Sequence, residues 1–260
     1  MHLLYPCDPF NKKKPDEAYE EEFCAAQHNG FTCFLFSFED FECGEFRPHP
    51  AKVFEGDILY RGWMLTPERY AQLQESIELM GATVVVTAEN YRRCHYLPEW
   101  YDQCKDLTPT TITLAKNDDF SLALSTTGWN AYFVKDFVKS LTTSRGSVAK
   151  NAAEVHEVVT LIERYRGKLE GGVCIREFED LLHETEERYF VLRGKVLARN
   201  GIIPDIVQDI ARRIESPFFS VDIVFNTEGK PRLIELGDGQ VSDRKQWPAN
   251  TFIEALNSAV

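Results

Sequence analysis

Apolar and polar positions along the chain fall into short blocks, and each block reads as one element. HLLY near the start is a short strand, and Pro15-Asp16-Glu17 then sets a proline and two acids in the first turn of a helix that ends at Asn29-Gly30. TCFLFSF is a second strand. A loop with Pro and Gly leads to a third, DILYRGW. Thr66 followed by Pro67 is an N-cap with proline at the first helical position, and Met80-Gly81 stops that helix before the strand ATVVVT. Strand, helix and strand in this order predict a parallel, three-layer unit with right-handed crossovers.

From about Tyr91 to Thr111 the pattern breaks into aromatic, proline-bearing sequence, read as a connection and domain boundary. The rhythm then changes. AYFVKDF is a strand, and Asn151 with Glu154 three residues on forms a capping box for a helix running to about Tyr165. GVCIREF is the next strand, and ERYFVLRGKVLAR is a hairpin turning at Arg193-Gly194-Lys195. FFSVDIVF and PRLIEL flank Asn226-Thr227-Glu228-Gly229, the turn chemistry of a second hairpin, and TFIEALNSAV closes as a helix. Hairpins with separate helices predict an α+β domain.

A chain of 260 residues has room for two domains. Its 29 Lys and Arg against 41 Asp and Glu give a net charge of −12, which opposes non-specific binding to nucleic acid or to anionic membrane. No apolar run approaches the roughly 20 residues of a spanning helix. The cysteines Cys7, Cys24, Cys33, Cys43, Cys94, Cys104 and Cys174 are odd in number and form no C-x-x-C pair. With no signal-peptide pattern, they predict free thiols in a reducing, cytoplasmic setting. Cys24, Cys33 and Cys43 are spaced too widely for a zinc knuckle.

The second hairpin carries the most chemistry. Asp222 and Glu235 fall near each other on its strands, with Asp238 just beyond in a Gly-Asp-Gly turn. Such carboxylates either converge on a hard divalent cation such as magnesium, or serve as a satisfied strand polar residue and an edge charge. Lys135 ends an apolar strand and is followed by the hydroxyl-rich loop Thr142-Thr143-Ser144-Arg145-Gly146-Ser147. That pairing suits ATP phosphates, with loop amides and hydroxyls folding over them; the alternative is a surface lysine whose stem packs on the sheet. The Walker A pattern is absent. Ile175-Arg176-Glu177-Phe178 ends a strand at a candidate hinge, where backbone groups and Glu177 suit an adenine edge, and Arg188, which begins the next strand, is a candidate to meet a transferring phosphate. Arg61 ends a strand with Trp63 close by; it either clamps a carboxylate substrate, Trp63 forming a wall, or pairs internally with an acid. Cys94-His95 reads as packing.

In their order, VKDFVKS with its Ser/Gly loop, VCIREFE, ERYFVLRGKVLA and SVDIVFNTEGKPRLIELGDGQVSD resemble the ATP-grasp superfamily over roughly 111–260. YRGWML, ELGDGQVS and the CDPFN opening resemble its R-two-K clade over nearly the whole chain. The resemblance implies an α/β plus α+β fold: an N-terminal α/β pre-ATP-grasp domain over 1–110, then a two-subdomain ATP-grasp fold over 111–260, divided at about 170. It implies that Lys135 and the loop residues Ser144, Arg145 and Gly146 contact ATP phosphates. Glu177 and Phe178 lie at the adenine hinge, and Arg188 faces the γ-phosphate. Asp222 and Glu235 hold magnesium. Where most of the superfamily has Glu-x-Asn, this chain has Glu235-Leu236-Gly237, and Asp238 is the expected substitute ligand. The implied activity is a ligase that activates a carboxylate, on a small molecule, peptide or protein, as an acyl phosphate for attack by an amine or other nucleophile. A nucleotide-binding assembly factor and a phosphotransferase are the alternatives.

Overall fold

A computed structural model of the chain describes residues 1–51 and 54–260; Lys52 and Val53, in the loop expected before DILYRGW, lie outside the described residues. The first strands are β1 (His2–Asp8), β2 (Asn11–Pro15), β3 (Cys33–Phe36), β4 (Gly56–Tyr60), β5 (Ala82–Val84) and β6 (Thr111–Leu114). They are followed by β7 (Tyr132–Asp136), β8 (Val148–Ala149), β9 (Val173–Glu177), β10 (Leu181–Leu192), β11 (Lys195–Leu197), β12 (Phe218–Asn226) and β13 (Pro231–Asp238). The first helices are α1 (Glu20–His28), α2 (Phe38–Glu42), α3 (Pro67–Leu79), α4 (Ala88–His95) and α5 (Leu97–Cys104). The others are α6 (Phe120–Ser125), α7 (Ala152–Arg166), α8 (Asp205–Arg213) and α9 (Ala249–Asn257).

Two compact units form. One gathers residues 1–92, 188–221 and 237–260, the other 93–187 and 222–236. In the first, β1 runs parallel to β3 and to β4, and β4 parallel to β5, as the strand–helix alternation predicts. Leu3, Leu4 and Tyr5 of β1 have no exposed surface, which is why the strand reads as a continuous apolar run. β2, not anticipated from the sequence, folds back antiparallel on β1. Helix α3 starts where Thr66 accepts from Arg69 N and buries Tyr70, Leu73 and Ile77, a stripe at helical spacing. Phe190, Phe218, Trp247 and Phe252 join the same core from the C-terminal segments.

The second unit is built on the antiparallel sheet β6-β9-β7-β8. Asn151 Oδ1 accepts from Glu154 N and Glu154 Oε2 from Lys150 N, a reciprocal cap that opens α7. Gly167, at φ 77°, closes it in the left-handed conformation. Val155, Val158, Val159 and Ile162 pack on the sheet. The stretch from Tyr91 to Thr111, expected to be irregular, is instead largely helical. Pro98 lies in the first turn of α5, where its missing N–H costs no hydrogen bond. The first segment of the first compact unit ends at residue 92, and the chain returns to that unit over 188–221 and 237–260.

The remaining sheet has the order β11-β10-β12-β13. Arg193 and Gly194, both at positive φ, make the tight turn between β10 and β11. The β12–β13 hairpin closes through Asn226 N to Lys230 O at 2.9 Å, and at its far end Gly239 N reaches Phe218 O at 3.2 Å. Asp222 lies mid-strand on β12 and Glu235 on the neighbouring strand β13. All seven cysteines are free thiols. No helix among the described residues is long and apolar enough to cross a membrane.

Candidate functional site

Alternation along β7 and β9 gives their sheet two different faces. Tyr132, Val134, Val173 and Ile175 point to the α7 core. Phe133, Lys135 and Arg176, on the opposite parity, line a cavity of about 310 Å³. Glu177, Phe178, His183, Glu186 and Glu235 complete much of its wall. Lys135 is buried, and its Nζ stands 3.5 Å from Glu235 Oε1. Phe178 is exposed, with its N–H donated to Ala131 O, and Glu177 N donates to Thr110 O. The cavity therefore joins an aromatic, acidic end to a cationic one.

Arg176 drew no role of its own from the sequence because it sits inside the apolar run VCIREF. Its Nη1 donates to Ile234 O at 2.8 Å and its Nη2 to the Thr108 hydroxyl, while Nε has no hydrogen-bond partner. Burial lowers its pKa to about 10. Thr108 in turn donates to Leu233 O, so these contacts fasten β13, and with it Glu235, to the cavity wall. The available signal was parity: a charged residue two positions after Cys174 on the face away from α7.

The loop after β7 meets the cavity through Ser140, and β8 through Val148; Ser144, Arg145 and Gly146 are not among its lining residues. Arg145 turns to α7, pairing with Glu157 and donating to Val148 O. Gly146 holds the loop's turn at φ 67°.

Asp222 belongs to the second unit but is not among the residues that line the cavity, whereas Arg188, Arg61, Trp63 and Asp238 belong to the first unit. Arg188 donates through Nη1 to Asp243 Oδ1 at 2.8 Å and to Asp243 O at 3.0 Å. Arg61 is 1% exposed: Nε and Nη2 grip both oxygens of Glu22, and Nη1 donates to the carbonyls of Gly239, Gln240 and Ser242. The Phe252 ring lies 4.8 Å from its guanidinium carbon. Of the two readings of Arg61, the geometry is that of the internal ion pair; burial and an occupied fork leave a carboxylate substrate no approach to it. Trp63 is partly exposed, its Nε1 donating to Asp16 and its ring edge-on to Tyr19. Gly62 between them is dictated by space, since a Cβ there would stand 2.3 Å from the Tyr60 hydroxyl.

Asp238 is fully buried. Its Oδ1 accepts from Gln240 N and Nε2, Gln240 Nε2 also donates to the Tyr70 hydroxyl, and Asp238 Oδ2 has no hydrogen-bond partner. Burial pushes its carboxyl up to about 7. At Gly237 an added Cβ would come 2.7 Å from Ser242 Oγ and 2.8 Å from Ser220 Oγ, two hydroxyls that are themselves 2.7 Å apart. The Ser220–Ser242 pair thus fills the space that a side chain at 237 would need.

The ATP-grasp domain of the R-two-K clade, family 3, matches residues 59–256. The chain belongs to that ATP-grasp family. No curated protein sequence matches it. Among solved structures, D-cycloserine synthetase DcsG is 14% identical with a TM-score of 0.63, each chain covered to 99%. The ATP-grasp ligase PsnB, complexed with minimal precursor, Mg and ADP, is 13% identical with a TM-score of 0.62 over 99% of this chain and 96% of that one. The D-alanine-D-alanine ligase from Coxiella burnetii is 14% identical with a TM-score of 0.62, covering 100% of this chain and 94% of that one. At such identities the likeness establishes the ATP-grasp fold, which agrees with the fold expected from the ordered motifs.

Proposed function

We propose that this ATP-grasp protein is an ATP- and magnesium-dependent ligase that activates a substrate carboxylate as an acyl phosphate for attack by an amine or another nucleophile. The observation that carries the reading is the cavity in which the Lys135–Glu235 pair lies at one part of the wall and Phe178 and Glu177 at another. Its size is that of a small-molecule pocket. Lys135 offers a cation to phosphate oxygens, and Phe133 and Phe178 offer rings to a base. Arg188 is assigned to the charge on the transferred phosphoryl group.

Magnesium fits the donor set. Asp222, 1% exposed on β12, and Glu235 on the adjacent strand β13 offer two hard oxygen donors on one strand pair. Among the described residues no group of three or more His, Cys, Asp or Glu is gathered to hold a metal by itself. That is how magnesium is commonly held, by one or two carboxylates with phosphate and water completing its shell. When bound, the ion would neutralise phosphate charge. Asp238 is assigned to the Gln240 network instead, because strand alternation turns it to the face opposite Glu235 and Gly237.

The acyl-phosphate route needs no protein nucleophile: the substrate carboxylate attacks the γ-phosphorus, ADP leaves, and the amine then displaces phosphate. The chain's task is positioning and charge stabilisation. The test is ADP release from ATP and magnesium in the presence of carboxylate and amine pools, with products weighed by mass spectrometry. Release that needs both pools, with a condensed product, supports the ligase. ATP binding without turnover beside a stable protein partner would make it an assembly factor, and a stable phosphorylated product a phosphotransferase.

A further inference from the structure

The β1–β2 hairpin combines three features with no role in the cavity. Phe10 at its tip is 97% exposed. The tip is not a loose loop: Asp8 Oδ1 accepts from both Phe10 N and Asn11 N at 2.8 Å, and Asn11 Oδ1 accepts from Lys13 N at 3.2 Å. The aromatic ring is therefore held out on an ordered turn, so little further ordering is needed for it to engage a partner. Lys12, Lys13 and Lys14 follow in β2, the only run of three basic residues in a chain of net charge −12. Lys12 is paired with Asp40, but Lys13 and Lys14 are exposed and form no ion pair among the described residues. β2 is also the end strand in the order β2-β1-β4-β5.

We propose that this hairpin is a docking site for an acidic, extended peptide segment, which lies along β2 with its carboxylates on Lys13 and Lys14 and an apolar side chain against Phe10. Lysines on an edge strand guard against pairing with other strands, and an acidic strand is the class of partner that this guard admits. Charge also sets the footprint. A membrane or a nucleic acid spreads its negative charge across the acid-rich remainder of the protein, whereas a short peptide senses charges only within a screening length of about 8 Å. The proposal stands independently of the ligase reading, since it concerns binding alone.

The test is fluorescence anisotropy of the whole protein with a labelled peptide of Glu-Glu-Leu repeats, whose neighbouring glutamates face opposite sides of a strand as Lys13 and Lys14 do, at low and high salt. Saturable, salt-weakened binding is expected, falling at least about fivefold in Lys13→Glu/Lys14→Glu and at least about threefold in Phe10→Ser. Circular dichroism and melting should be unchanged, because all three side chains are exposed. The control is Lys150→Glu, an exposed lysine in the other unit, which should bind like the parent. Absence of saturable binding, equal loss in Lys150→Glu, or an unaffected Phe10→Ser overturns the proposal. Tighter hairpin-dependent binding to single-stranded DNA or to anionic vesicles than to the peptide overturns it too.

Discussion

Lys135 Nζ on β7 stands 3.5 Å from Glu235 Oε1 on β13, a buried cation facing a carboxylate that is 35% exposed. An ion pair open to solvent on one side contributes little to folding, and the role proposed for Lys135 is to hold ATP phosphates. Lys135→Ala is expected to weaken ATP binding by about tenfold or more, since a charged phosphate contact contributes roughly 1.5 to 3 kcal/mol. Calorimetric titration with ATP and magnesium checks this. Unchanged affinity would take Lys135 out of the nucleotide site.

Arg61 should behave as a structural residue. Arg61→Met leaves Glu22, 2% exposed, as a buried charge without its chief partner, and the expected loss is about 3 to 5 kcal/mol in urea denaturation. Arg61→Lys keeps the charge but loses the fork and three carbonyl contacts, so it too should unfold earlier. A variant as stable as the parent but deficient in turnover would restore Arg61 to the substrate site.

Gly237 separates two explanations of the departure from Glu-x-Asn. Its φ is not in the left-handed region, so any barrier to a side chain comes from Ser220 and Ser242. Gly237→Ala should cost about 1 to 3 kcal/mol by overpacking, and removing both hydroxyls in Ser220→Ala/Ser242→Ala should recover part of it. Full tolerance of Gly237→Asn, with a lower magnesium requirement for ATP binding, would mean that the position is merely vacant.

Asp238 and His95 predict opposing pH dependences. Burial raises Asp238 to about 7, so between its ordinary value near 3.8 and 7 the folded chain holds a proton that the unfolded chain releases. Stability from this group falls as pH rises through that window. Burial lowers His95 from 6.5 to about 4, so between these values the unfolded chain takes up a proton that the folded chain refuses, and stability rises with pH. In Asp238→Asn the fall between about pH 6.5 and 7 should disappear, leaving the rise from His95 below it. Urea midpoints across pH 4 to 8 measure both slopes. The same variant should keep the parent's magnesium requirement for ATP binding, whereas Asp222→Asn should raise it.

Elements whose signal is local were legible in the sequence. The caps at Thr66 and Asn151, the glycine stop at Gly81 and the Asn226–Gly229 turn all sit where short-range hydrogen bonding demands them. Pro98 misled because proline breaks a helix interior but suits a helix start, and only the flanking turns tell which. Arg61 misled for a different reason. A strand-end arginine reads the same whether it faces solvent or Glu22, and the partners at residues 239–242 are about 180 positions away in the chain. Asp238 was legible in principle, since counting two by two along β13 from Glu235 skips it. Arg176 was lost inside an apolar run whose two faces only β7 and α7 distinguish.

The core shared by β1, β4 and α9 has a consequence for synthesis on the ribosome. Leu4, Phe34 and Tyr60 emerge early, but Phe190, Phe218, Trp247 and Phe252, which close the same cluster, are made more than a hundred residues later. Until then the parallel strands carry an uncovered apolar surface. Completion of this core therefore waits for the segments that carry Phe190, Phe218, Trp247 and Phe252, and the exposed strands before then are the part of the nascent chain most open to aggregation.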